Sequence, residues 1–159
     1  MFENGIKGNK VFTIWGGADG VRKTTLRNRA GVQTYIIDLK ELDYPSLKEK
    51  LKIKNKLIEN FIYSDMSFGI ESTLRGKIIF EKIKYLKGMG YEINLVFIYC
   101  KGQDNNFKKI ENNIELFDTI LFYDNTRGKY ELIGFKNGDI IQELSPKSYM
   151  AQGLKLKLR

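Results

Sequence analysis

Residues 11–25 read VFTIWGGADGVRKTT, and this stretch predicts how the chain begins to fold. An apolar run of strand-forming residues, 11–15, is followed at once by glycines, and from Lys23 onward the sequence suits a helix. Strand, glycine-rich loop and helix in this order form the context of the phosphate-binding pattern G-x-x-x-x-G-K-[ST]. Gly17, Lys23 and Thr24 match that pattern, whereas Arg22 stands where its last glycine belongs.

The chemistry of such a loop predicts a nucleotide site. Successive backbone N–H groups cradle phosphate, a lysine reaches the β- and γ-phosphates, and a hydroxyl ligates Mg²⁺. We therefore expect ATP and Mg²⁺ as cofactors, with Lys23 also serving catalysis and Thr24 also serving as the metal ligand. The predicted cofactor-binding residues are Gly17, Ala18, Asp19, Gly20, Val21, Arg22, Lys23, Thr24 and Thr25.

Arg22 conflicts with this interpretation. Backbone and phosphate approach closely just before the lysine, so a side chain there must point outward or displace the phosphates. Crowding costs about 1–3 kcal/mol, whereas a surface charge near an anion returns about 1 kcal/mol or less. Steric crowding therefore dominates unless the side chain turns away. The alternative is a glycine-rich turn that binds no ligand.

Composition excludes several kinds of chemistry. The 159 residues contain no histidine and a single cysteine, Cys100, which rules out histidine-based triads, histidine zinc sites and an internal disulfide. The formal net charge of +8 suits phosphate-bearing ligands, although a solvated basic surface is an equally ordinary explanation. No apolar run approaches the roughly 20 residues of a membrane helix, and MFENGIKGNK lacks an apolar signal core. We expect a cytoplasmic protein without a membrane partner.

The remaining pattern alternates strands with helices. It predicts an α/β domain with a mainly parallel sheet flanked by helices and a C-terminal antiparallel hairpin turning at Lys136-Asn137-Gly138. We expect one domain over 1–145 and a basic tail over 146–159. The tail forms either an edge strand of the sheet or a loose basic segment. Strands are predicted at 11–15, 33–37, 67–71, 93–99, 119–123, 130–135 and 139–144. Helices are predicted from Lys23, over 46–63, 77–87 and 106–117.

Four segments in order resemble the zeta-toxin-type P-loop kinases. They are VFTIWGGADGVRKTTL (11–26), SFGIESTLRG (67–76), GYEINLVFIY (90–99), and FYDNT (122–126) followed by ELIGFKNGDII (131–141). Together they span most of residues 10–145. The combination of the loop with IESTLRG is the most specific part of the resemblance.

The resemblance implies a function and site roles. Members of this family use ATP to phosphorylate a hydroxyl of a nucleotide sugar, typically UDP-N-acetylglucosamine, in toxin–antitoxin settings. Asp38 matches the family's base for the substrate hydroxyl, although Glu41 and Asp43 lie nearby as competitors. Glu71 and Thr73 match acceptor-binding positions. A protein antitoxin is thus a possible partner, and we do not expect nucleic acid as one, since only charge favours it.

One part of the family pattern is missing. Family members carry a lid helix with arginines that clamp the transferring phosphate, but residues 100–118 contain none. Lys108 and Lys109 supply charge there without the forked geometry of arginine. Together with Arg22, this predicts impaired phosphotransfer. The alternative is a catalytically degenerate module of the same fold that binds a nucleotide or a partner.

Overall fold

The computed structural model describes residues 10–31, 34–102 and 107–144. The predicted tail over 146–159 and the starts of two predicted elements, Gln33 and Asn106, lie outside these residues. Across the described part the element order is β1 (Val11–Gly16), α1 (Lys23–Arg29), β2 (Ile36–Ile37), α2 (Leu47–Tyr63), β3 (Phe68–Ser72), α3 (Ile78–Gly88), β4 (Glu92–Tyr99), α4 (Phe107–Asn112), β5 (Thr119–Asp124), β6 (Glu131–Asn137) and β7 (Ile140–Glu143).

The seven strands form one mixed sheet in the order β2-β3-β1-β4-β5-β6-β7. The first five strands are parallel, with β1 between β3 and β4, and β6 and β7 add an antiparallel hairpin at one edge. The predicted fold class is confirmed. This topology matters for the site because the carboxyl ends of β1, β2, β3 and β5 meet at one edge of the sheet.

Burial explains why VFTIWG forms the central strand. Every residue of β1 is buried, as expected for a parallel strand covered on both faces. Phe12 and Ile14 belong to the large cluster that α2 and α3 cover, while Trp15 packs with Ile36 and Val96 on the opposite face. The helix α3 contributes Phe80, Ile83 and Leu86 to the core, and α2 contributes Ile58.

Two predicted elements are shorter in the structure. The helix predicted over 106–117 ends at Asn112 and gives way to a 3-10 turn at Ile114–Leu116. Asn113 has φ −120° and ψ 17°, outside the helical range, and asparagine favours such breaks because its side chain competes for backbone hydrogen bonds. Strand β2 has only two residues, although Gly69 N also donates to Tyr35 O at 2.8 Å.

Helix α2 begins at a capping serine. Ser46 Oγ accepts a hydrogen bond from Glu49 N at 3.2 Å. The apolar positions Leu47 and Leu51, however, are exposed, so the helix contacts the core mainly through its second half. No helix in the described ranges is both long and apolar enough to span a bilayer.

Candidate functional site: a phosphate-loop-like turn beside a carboxylate cluster

The loop between β1 and α1 curls back on itself. Gly17 N donates to Ser72 O at 3.1 Å, and Val21 N donates to Ala18 O at 3.4 Å. Gly17 has φ 147°, and a Cβ there would lie 2.6 Å from the backbone oxygen of Ile98, so only glycine fits. Ala18 and Val21 are buried against Ile98, whereas Asp19 and Gly20 are exposed.

Arg22 takes up the conformation that a glycine would take at its position. Its φ of 71° and ψ of 45° are left-handed, which costs a non-glycine residue about 1–2 kcal/mol. Its side chain is exposed, and its carbonyl accepts a hydrogen bond from Tyr130 Oη at 2.8 Å. The backbone of Arg22 thus keeps the left-handed turn that a glycine would adopt there, and its side chain lies at the surface.

Lys23 is buried inside the loop. Its Nζ donates to Gly17 O at 2.6 Å and to Ala18 O at 3.1 Å, and the residue is 8% exposed. Burial lowers the pKa of the Lys23 ammonium, while the charges of Asp19 and Glu71 act in the opposite direction. The loop carbonyls therefore satisfy the cation that is expected to reach phosphate.

Thr24 links the loop to the neighbouring strand. Its hydroxyl lies 2.9 Å and 2.8 Å from the two carboxylate oxygens of Glu71, at the end of β3. Thr24 is half-buried, while Thr25 beside it is exposed. The hydroxyl can donate only one hydrogen at a time, so its oxygen retains lone pairs that could face a cation.

Three carboxylates surround one arginine, and we call Asp38, Glu41 and Glu71 the carboxylate cluster. Arg27 Nη2 lies 2.9 Å from Glu71 Oε2, 3.2 Å from Glu41 Oε1 and 3.8 Å from Asp38 Oδ2. Asp38 Oδ1 also accepts from Lys40 N at 3.0 Å, at the start of a 3-10 turn over Leu39–Glu41. The fold thus joins the helix after the loop to the ends of two strands.

The environment of Glu71 favours its neutral form. Burial is the largest effect raising the pKa of the Glu71 carboxyl, and the negative charge of Asp38 adds to it. The hydrogen bond from Thr24 and the charge of Arg27 act in the opposite direction. The net result of these effects is a raised pKa of the Glu71 carboxyl.

The structure brings four predicted site residues together: Lys23, Thr24, Asp38 and Glu71. Asp38 is buried, while its competitors Glu41 and Asp43 are exposed. Thr73 follows two residues after Glu71 and is half-buried. The two lysines of the shortened segment, Lys108 and Lys109, are exposed on α4.

Sequence reasoning missed three residues. Arg27 lies one helical turn after Lys23, so its spacing on α1 was a usable signal. Asn125, whose Nδ2 donates to Val21 O at 3.2 Å, and Tyr130 come from about 100 residues further along the chain. Nothing in the local sequence connects these two with the loop.

A separate cavity of about 410 Å³ lies at the opposite edge of the sheet, near the amino ends of the strands. It is lined by Lys10, Lys87, Gly90, Tyr91, Glu92 and Asp118. Lys10 pairs with Asp65 at 3.1 Å and Lys87 with Asp118 at 3.4 Å. This cavity contains none of the predicted site residues.

Comparisons with known proteins identify the fold through structure. No family model matches the sequence, and no curated protein matches it. A chain from the PezAT chromosomal toxin–antitoxin system of Streptococcus pneumoniae is similar, with a TM-score of 0.54 and 18% identity over 79% of this chain and 72% of that one. A candidate kinase from Chloroflexus aurantiacus gives a TM-score of 0.47 and 13% identity over 77% of this chain and 88% of that one. The first of these structures shows that this chain shares the fold of a chain from a toxin–antitoxin system, which agrees at the level of the fold with the resemblance seen in the sequence motifs.

Proposed function

We propose that the chain is a zeta-toxin-like phosphotransferase that uses ATP to phosphorylate a hydroxyl of a nucleotide sugar, UDP-N-acetylglucosamine or a close relative. One observation carries the proposal. Thr24, which directly follows Lys23, hydrogen-bonds to Glu71 of the carboxylate cluster, so the phosphate-loop-like turn and a group of acidic side chains adjoin at one sheet edge.

The residues present fit a nucleotide with its metal. Gly17 allows the loop backbone to pass close to the Ile98 carbonyl, and Lys23 is a cation already held within the loop by backbone carbonyls. Thr24 would ligate Mg²⁺, with phosphate and water oxygens as the other ligands, since the described residues contain no group of three or more Asp, Glu, Cys or His suited to a metal. Bound ATP and Mg²⁺ supply the phosphoryl group and neutralise its charge.

The chain's own residues position the acceptor. Lys23 exchanges its loop carbonyls for phosphate oxygens, which its charge favours. Asp38, buried beside Arg27, accepts the proton of the acceptor hydroxyl. Glu71 and Thr73 bind the sugar through their side-chain oxygens.

Transfer is expected to be slow. Residues 100–118 contain no arginine, and loss of an arginine clamp commonly costs about 10³–10⁵ in rate. The same absence favours a second candidate, a nucleotide- or partner-binding module without catalysis. An antitoxin protein as partner is consistent with the fold shared with a toxin–antitoxin chain.

The test separates binding from transfer. Thermal shift and calorimetry with ATP·Mg²⁺ and with UDP-N-acetylglucosamine should each show saturable binding. Lys23→Met should lose ATP binding, whereas Asp38→Asn should retain it and lose transfer, read as phosphorylated sugar nucleotide by mass spectrometry. Lys84→Met, the same chemical change as Lys23→Met at an exposed position of α3, is the control. Saturable ATP binding with no transfer in the unmodified protein would establish the second candidate, and absence of ATP binding would refute both nucleotide-binding proposals.

A further inference from the structure

The phosphate-loop-like turn contains an internal strain. Arg22 is held with φ 71° in the left-handed region, a place that glycine occupies without cost and arginine does not. If its surroundings did not hold it, a non-glycine residue would adopt another backbone conformation. That conformation would be about five- to thirtyfold more populated than the left-handed one. Something outside the loop must therefore maintain it.

Two side chains from the turn between β5 and β6 contact the loop at this point. Tyr130 Oη donates to the carbonyl of Arg22 at 2.8 Å, and Asn125 Nδ2 donates to the carbonyl of Val21 at 3.2 Å. These are the two peptide units immediately before Lys23. Their carbonyl orientation fixes the direction in which the N–H groups of Arg22 and Lys23 point, since the peptide unit is planar.

The turn is itself anchored. Asn125 N donates to Tyr99 O at 2.8 Å, which ties the turn to the end of β4. The ring of Tyr130 packs against the cluster beneath the loop, formed by Ala18, Val21 and Ile98. The guanidinium of Arg29 lies over the same ring at 5.4 Å from its centroid. Tyr130 is thus placed by packing as well as by its hydrogen bond.

We infer that Tyr130 is a positioning residue for the nucleotide site. Its hydroxyl holds Arg22 in the left-handed conformation, which a glycine at this position would adopt without help. The inference rests on the proposed function, because it concerns the nucleotide affinity of the same loop. Tyr130 acts through the loop backbone and need not touch the nucleotide.

A double-mutant cycle tests this inference. Tyr130→Phe should weaken binding of ADP·Mg²⁺ by about five- to thirtyfold in the unmodified background, since the loop then relaxes away from its binding conformation. In the Arg22→Gly background the same change should cost less than about twofold, because glycine adopts the left-handed conformation unaided. Tyr85→Phe, the same chemical change at an exposed position of α3, is the control and should leave affinity unchanged.

A second measurement does not depend on the nucleotide. Amide hydrogen exchange across residues 17–24 should accelerate in Tyr130→Phe and not in Tyr85→Phe. Equal losses of affinity in both backgrounds, or no loss in either, would overturn the inference while leaving the proposed function intact. If no variant binds ADP and yet exchange accelerates in Tyr130→Phe, the positioning role stands and the proposed function fails. Unchanged exchange overturns the positioning role whatever the affinity does.

Discussion

Replacing Arg27 by methionine should destabilise the protein strongly at neutral pH. The side chain of Arg27 is 11% exposed, and the carboxylates of Glu71 and Asp38 beside it are 5% and 7% exposed. Methionine has a similar volume but no charge, so two buried carboxylates would lose their cation. Leaving a buried charge without its partner costs about 3–5 kcal/mol. For a chain of this length we expect the melting temperature to fall by about 6–20 °C.

The loss should depend on pH, and its sign follows from the pKa of Glu71. Burial already raises this pKa, and removing Arg27, whose charge lowers it, raises it further. A folded-state pKa above the unfolded value makes folding less favourable as pH rises from the unfolded pKa through the folded one. The difference between the unmodified protein and Arg27→Met should therefore be smallest near pH 4.5 and grow toward pH 7.

Urea unfolding at a series of pH values measures this difference directly. Arg29→Met on the same helix is the matched control, since Arg29 is exposed and outside the carboxylate cluster. Adding Glu71→Gln to Arg27→Met should recover part of the loss at pH 7, because one buried charge is then removed. An equal loss at pH 4.5 and pH 7, or a loss below about 1 kcal/mol, would refute the reasoning.

Three further changes test local features. Gly17→Ala places a methyl group 2.6 Å from the Ile98 carbonyl oxygen at φ 147°, so both thermal stability and ATP binding should fall. Leu74→Ala empties a fully buried position and should cost about 2–5 kcal/mol in urea unfolding. Tyr91, whose hydroxyl donates to Met66 O at 2.8 Å, has its pKa raised by burial to about 12, so Tyr91→Phe should cost about 0.5–1.5 kcal/mol and remove the last phenol to ionise in an absorbance titration.

The local pattern of apolar residues and glycines predicted most of the fold. A continuous apolar run followed by glycines predicted β1 and its loop, and the positions of α2 and α3 followed from helical spacing with errors of at most one residue at their ends. Two element lengths were predicted wrongly. Strand β2 is shorter than predicted because tertiary contacts set its length, and the helix predicted over 106–117 ends before Asn113, whose side chain competes for backbone hydrogen bonds.

The candidate site was predicted only in part. Lys23 and Thr24 are recognisable because their spacing from Gly17 follows from the geometry of one loop, and Asp38 and Glu71 because they end strands. Their roles remain predictions. Arg27 was not predicted as a site residue, because its role is to pair with three carboxylates that other parts of the chain contribute.

By itself the sequence determined the order of strands and helices, the place of the loop and the absence of histidine chemistry, since these depend on residues close together in the chain. Only the tertiary structure decided how Arg22 is accommodated and which carboxylates share a cation. The physical reason is that both depend on groups contributed by different parts of the chain. The Tyr130 hydroxyl reaches the Arg22 carbonyl, and Glu71 and Asp38 approach Arg27, only because the sheet packs these segments together.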